Sequence, residues 1–230
     1  MGITPLNTTH NGDAKRYTAN PDYLDQIESI LFYAKEHMTS PCSFHLLSHV
    51  SEPENLDKSN FLKNFSRALK RQYKTSQQQV PETLLIYSIE FKMTDVNEIN
   101  DTDEAYISGK NDKIKLPFLH IHVCIIADCN KTIPQAFNAK AQAALNEIAG
   151  LSKARYYKSK ARNIYVLDEE TGERKVHRTN AQMYKSLKKE FDDVYDRVKY
   201  LAQLEQKDPA NIPFRQKFGC SRLPKLESNT

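Results

Sequence analysis

The chain has 230 residues, of which 39% are hydrophobic and 27% charged, enough apolar material for a core and enough charge to solvate a surface. Its 33 basic and 29 acidic residues leave a net charge of +4, too mild a lean to prove a nucleic-acid partner by itself. No apolar run approaches the roughly 18 residues of a membrane span, the first twenty residues carry no hydrophobic leader core, and Cys42, Cys124, Cys129 and Cys220 lack any CxxC spacing. A cytoplasmic protein with reduced thiols and no membrane partner is the expectation.

Residues 1–20 show no periodicity and predict a flexible tail. From Asp22, the residues Leu24, Ile27, Ile30, Leu31 and Ala34 recur at helical spacing, with Asn20 or Asp22 as the cap. A second helix is expected from about Asn60 to Tyr73, with Phe61, Leu62, Phe65 and Leu69 inward and Lys63, Arg67, Lys70, Arg71 and Lys74 outward. Residues 21–80 thus read as a helical N-terminal region, followed by a domain over 81–222 and a short tail at 223–230.

Pro81 ends the helical pattern, and Leu84 to Met93 reads as a strand. A polar, acidic connector over 94–115 leads to a second strand, Pro117 to Ala127, and with no helix between them the two strands most simply pair antiparallel. An amphipathic helix over 134–148 stops at Gly150. Asn163–Leu167 and Lys175–His177 flank a hairpin tip, a long helix is expected from Thr179 or Asn180 to about Glu205, and the segment from Asp208 is irregular. The fold class is α+β, an antiparallel sheet with flanking helices.

His120-Ile121-His122 is the sharpest chemical feature. Residues two apart on a strand share a face, so the two imidazoles stand together beside Phe118, Cys124 and Ile126, while Leu119, Ile121, Val123, Ile125 and Ala127 form a wholly apolar face. Neutral ring nitrogens so placed suit one divalent cation. Glu90 on the preceding strand is the first candidate for a third ligand, and Asp128 the second. The last helix offers Tyr195 with Lys199 one turn on, and Tyr200 with Lys207 about two turns on; a phenol needs such a cation, a base or a tense electrophile to attack at neutral pH. The stretch from Lys153 to Arg162 carries Lys153, Arg155, Tyr156, Tyr157, Lys158, Lys160 and Arg162 and no acid, the side chains that neutralise phosphates and stack on bases.

A His-hydrophobic-His strand followed by a helix with a tyrosine and nearby lysines resembles the HUH endonucleases. The stretches Leu116-Pro-Phe-Leu-His-Ile-His-Val, Phe191-Asp-Asp-Val-Tyr-Asp-Arg-Val-Lys-Tyr-Leu-Ala and Phe218-Gly-Cys-Ser-Arg222 look like the replication-protein family of filamentous phages (inoviruses), which includes prophage proteins of the YagK/YfjJ C-terminal-domain type. The resemblance covers roughly residues 84–222. It implies a Rep-like sheet, His120 and His122 as metal ligands with Glu90 as their acidic partner, Mg2+ or Mn2+ as the ion, and single-stranded DNA at a replication origin as substrate, with a host helicase or polymerase as recruited partner. The family's Tyr-Leu-Ala-Lys motif places the nucleophile at Tyr200, but its lysine is Gln203 here. Lys207 or Lys199 is then the substitute cation, and Tyr195, with Lys199 beside it, is the alternative nucleophile. The activity implied is nicking and rejoining of single strands through a phosphotyrosine link. A non-catalytic DNA-binding relative and a metal-dependent phosphoesterase acting on RNA or small substrates are the competing functions.

Overall fold

A computed structural model describes residues 4–10, 13–74, 76, 78–95, 115–156, 163–167, 174–178, 183–204, 207, 212 and 217–224. In chain order they form strands β1 (Thr4–His10) and β2 (Asp13–Ala19), helix α1 (Pro21–His37), strand β3 (Pro41–Val50), helix α2 (Phe61–Lys74), strands β4 (Thr83–Asp95) and β5 (Lys115–Asp128), helix α3 (Pro134–Asn146), strands β6 (Leu151–Tyr156), β7 (Asn163–Leu167), β8 (Arg174–Arg178) and β9 (Tyr184–Ser186), helix α4 (Phe191–Val198) and strand β10 (Phe218–Cys220). The main sheet has the order β10-β4-β5-β3-β6, with β9 on the same edge of β3 as β6, and every pairing is antiparallel. The hairpins β1–β2 and β7–β8 form separate two-stranded sheets. The fold is therefore α+β, with an antiparallel sheet between helices. No helix among the described residues is long and apolar enough to cross a membrane.

Strand alternation sorts the sheet into two faces. Phe44, Leu46, Leu85, Tyr87, Ile89, Ile121, Val123 and Ile125 pack in one core with the inward residues of α2 and α3. Leu84, Ile86, Cys124 and Ile126 pack in a second core with Ile27, Ile30 and Leu31 of α1 and Val194 and Val198 of α4. Helices on both faces bury the central strands twice over, which is why nine of the ten residues of β3 are buried. Asn20 caps α1 by accepting the Asp22 amide at 2.9 Å, with Pro21 in the first turn, as the sequence allows.

Three sequence expectations are corrected here. Residues 4–10 and 13–19, read as a tail, are paired strands; the sequence between them is Asn11-Gly12, the dipeptide that most favours a two-residue hairpin loop. The helical region at 21–80 contains β3, hydrogen-bonded between β5 and the β6/β9 edge, so no boundary at residue 80 separates it from the sheet. The long helix expected from residue 179 is confined to Phe191–Val198, because Tyr184–Ser186 pairs with Cys42–Phe44 as strand β9. Buried Lys185 on that strand ties it to the helix through Glu190, at 3.2 Å, and Asp193. The expected connector at 94–115 and hairpin tip at 169–173 fall largely or wholly outside the described residues.

Gly150 closes the turn from α3 into β6. Its φ is +83°, and a Cβ there would stand 2.5 Å from the Glu52 carbonyl oxygen and 2.9 Å from the Leu56 nitrogen. Its own carbonyl accepts the amides of Ser51, at 2.9 Å, and Glu52, at 3.3 Å, which fixes the end of β3. Gly150→Ala therefore meets both a left-handed backbone and an immovable carbonyl. Denaturant unfolding should show a loss of about 2 kcal/mol or more.

Candidate metal centre

In the β4–β5 register, Glu90 is opposite His120 and Ser88 is opposite His122. In the β3–β5 register, Leu47 is opposite His122 and His49 is opposite His120. Directly opposed residues of antiparallel strands point to one side, so the sheet brings Ser88, Glu90, His45, His49, His120 and His122 onto the same face. This polar stretch continues the face whose other end forms the second apolar core.

Glu90 is fully buried, and His120 and His122 are 4% and 3% exposed. Ser88 Oγ donates to Glu90 Oε1 at 3.1 Å. The other carboxylate oxygen, Oε2, has no hydrogen-bond donor among the described residues. It faces Nε2 of His120 at 3.8 Å and Nε2 of His122 at 3.7 Å. Those separations exceed a hydrogen bond. Donors each about 2.1 Å from one ion stand about 3.0–3.4 Å apart, so a shift of a few tenths of an ångström would let all three atoms share a cation. One carboxylate and two imidazoles, mutually within 4.8 Å, form a cluster that can hold a metal ion.

Two further groups complete the cluster, and neither is a ligand. His45 on β3, which the sequence alone does not single out, places Nε2 3.1 Å from His122 Nδ1. For His122 Nε2 to face an ion as a neutral acceptor, Nδ1 must carry the proton and donate it to His45, so His45 sets tautomer and ring angle together. Lys207, likewise buried, lies 3.6 Å from Glu90 Oε1 and donates to the Gln203 carbonyl. Cys124 follows His122 on the same face; burial pushes its thiol up to about 11, which makes it a packing residue rather than a thiolate donor.

The two tyrosines are separated by the winding of the chain. After Val198 the α-helix tightens into a 3-10 turn over Lys199–Ala202. Tyr200 on that turn meets His122 in a T-shaped ring contact, centroids 5.7 Å apart and planes at 73°. Both tyrosines pack against the second core; at Tyr195 burial, followed by the carboxylates of Glu28, Asp196 and Asp25, raises the phenol pKa above the ordinary value. Lys199 is engaged by Asp196 rather than by a phenol. Of the two candidate cations, Lys207 therefore reaches the cluster and Lys199 pairs elsewhere.

Asp128 is removed from the ligand candidates. It is six residues beyond His122, about 20 Å along a strand, and its carboxylate accepts the amides of Thr39, Ser40 and Asn130 at the strand's end. Lys153, Arg155 and Tyr156 lie on β6, against β3. Tyr157, Lys158, Lys160 and Arg162 fall outside the described residues. The outward cations of α2 belong to the opposite side of the sheet, over the first core. Comparison with family models, with curated proteins and with solved structures gave no match to this chain.

The role of His45 can be measured by metal titration. His45→Ala should weaken Mn2+ or Co2+ binding about 10- to 100-fold, as removing a ligand's hydrogen-bond partner generally does. His45→Gln, whose amide oxygen can accept from His122, should recover part of it. Equal affinity in wild type and His45→Ala would show that His122 needs no such support.

Proposed function

We propose that this protein is a replication-initiator nickase that cleaves and rejoins single-stranded DNA by tyrosine transesterification, serving a phage, prophage or plasmid in the cytoplasm. The observation that carries the reading is the meeting of Tyr200 with the Glu90/His120/His122 cluster. The phenol comes from the turn after the last helix, the ligands come from two central strands, and nothing in their sequence spacing requires them to converge.

Glu90, His120 and His122 are the residues that would hold a divalent ion, Mg2+ or Mn2+ in this reading. When bound it would stabilise the charge developing on the oxygens of the scissile phosphate. Tyr200 is the nucleophile. Its oxygen forms a bond to phosphorus as the phenol proton leaves; the bond from phosphorus to the 3′ oxygen breaks, and that oxygen takes up a proton. The products are a 5′-phosphotyrosine link and a free 3′-hydroxyl, and the reverse attack by a 3′-hydroxyl rejoins the strand. Lys207, by its ion pair with Glu90, supplies the cation that the resembling family carries at the position of Gln203. Tyr195 fits the nucleophile's role less well, because the ring contact with the cluster is made by Tyr200 and the surroundings of Tyr195 disfavour its phenolate.

A second reading, a DNA-binding protein that keeps the fold without the chemistry, draws on the near-complete burial of Glu90, His120 and His122. One experiment separates the two. Incubation with single-stranded origin DNA and Mn2+ should yield a covalent protein–DNA adduct that is lost with a chelator, lost in Tyr200→Phe and kept in Tyr195→Phe. Salt-sensitive binding with no adduct under any condition favours the second reading.

A further inference from the structure

Strand β6 does not follow β3 in even register. Leu151 and Ser152 are opposite Val50 and His49, while Arg155 and Tyr156 are opposite Leu47 and Leu46. Lys153 and Ala154 therefore share one counterpart, Ser48, and the strand bulges. At the bulge Lys153 adopts φ 51°, the one positive φ of a non-glycine residue among those described. A left-handed lysine crowds its own Cβ against the following carbonyl, so the conformation is held at a cost. Bulges re-aim side chains, and backbone strain of this kind concentrates at functional sites.

What the bulge re-aims can be followed residue by residue. Leu151 lies in the core under α2 and α3, so strict alternation would send Lys153 and Arg155 into that core too. The extra residue sends Ala154 there instead. Arg155 turns to the opposite face, because its counterpart Leu47 is itself opposite His122. Lys153 is exposed and follows Ser152, the residue opposite His49; burial, and after it the charge of this ammonium, hold the His49 imidazole below its ordinary pKa. His49 is opposite His120. The face of the metal cluster thus continues sideways through His49 to Arg155, with the exposed Lys153 at the bulge between them.

We propose that His49, Lys153 and Arg155 form a track for the sugar-phosphate backbone of single-stranded DNA, and that the bulge exists to turn this track toward the metal cluster. The inference rests on the nickase reading only for the identity of the strand; the binding it describes needs neither metal nor cleavage. The two cations neutralise phosphates, and the imidazole can donate an N–H to a phosphate oxygen, all without reading bases.

The test is fluorescence anisotropy of a labelled oligothymidylate, titrated at several salt concentrations in the presence of a chelator. Lys153→Gly suits the left-handed backbone while removing the charge. Combined with Arg155→Gln, it should lower the slope of log affinity against log salt by about 1.4, about 0.7 for each phosphate that is no longer neutralised. Lys153→Gly alone should give half of that drop with no fall in thermal midpoint. The control, Lys63→Gln with Lys70→Gln on α2, removes equal charge from the other side of the sheet and should leave the slope unchanged. An unaltered slope in the β6 variants, or an equal drop in the control, overturns the track. Failure of the nickase reading would appear separately, as absence of the Tyr200 adduct.

Discussion

Glu90 has none of its surface in water, and a carboxylate so placed persists only if other groups replace its hydration. Its partners come from three parts of the chain: Ser88 from its own strand, two imidazoles from β5, and Lys207 from beyond the last helix. Removing one partner of such a buried pair generally costs about 3–5 kcal/mol. The β4–β5 register is fixed accordingly. A slip of one residue would drive Glu90 into the apolar core under α2 and α3 and bring Ile89 into its place. The same requirement explains how Lys207 is held. The segment before it is stitched to β2 by the Ala19–Gln203 bridge and by the Leu204 amide donating to the Thr18 carbonyl at 2.9 Å.

One face of the sheet thus serves two purposes. Toward one end, Leu84, Ile86, Cys124 and Ile126 are roofed by α1 and α4. Toward the other, the same strands carry Ser88, Glu90, His122 and His120. The apolar end lends rigidity to the polar end, since each cluster residue is two to four residues along a strand from a fully packed side chain. Ligands on paired strands are held more tightly than ligands on loops. His45 adds a third strand to this support through its contact with His122.

The alternation of β5 is legible because its apolar face is unbroken and its polar face carries the paired imidazoles, and the antiparallel β4–β5 pairing follows from the polar connector between them. β3 alternates too, with Ser43, His45 and His49 against Phe44, Leu46 and Val50, yet its sequence lacks a clean apolar run, and its partners come from residues 115–128 and beyond. Its strand identity is a tertiary fact, and His45 and His49 are hidden with it. The same holds for Tyr184–Ser186, whose helical spacing with Leu187 and Phe191 is overridden by the free edge of β3. The hairpin at residues 4–19 differs, since Asn11-Gly12 is a local signal that stands out little where no hydrophobic runs flank it. The bulge in β6 is not legible at all, because nothing in Ser-Lys-Ala-Arg announces an extra residue until the register of β3 is known.

Which tyrosine meets the cluster turns on where the last helix changes its winding. Val198, Leu201 and Ala202 are buried in the second core, so the 3-10 turn that carries Tyr200 is fixed at both ends. Beyond it Gln203 is extended, with φ −64° and ψ 144°, and is bridged to Ala19. Its side chain is 1% exposed, and neither amide atom has a hydrogen bond among the described residues. A buried amide so placed carries no charge to the cluster, but the backbone carbonyl of the same residue accepts the ammonium of Lys207. The backbone of Gln203 thereby holds a lysine from four residues further on. The buried carboxylate demands a cation, and Lys207 meets that demand so long as the turn after Tyr200 stays stitched to β2.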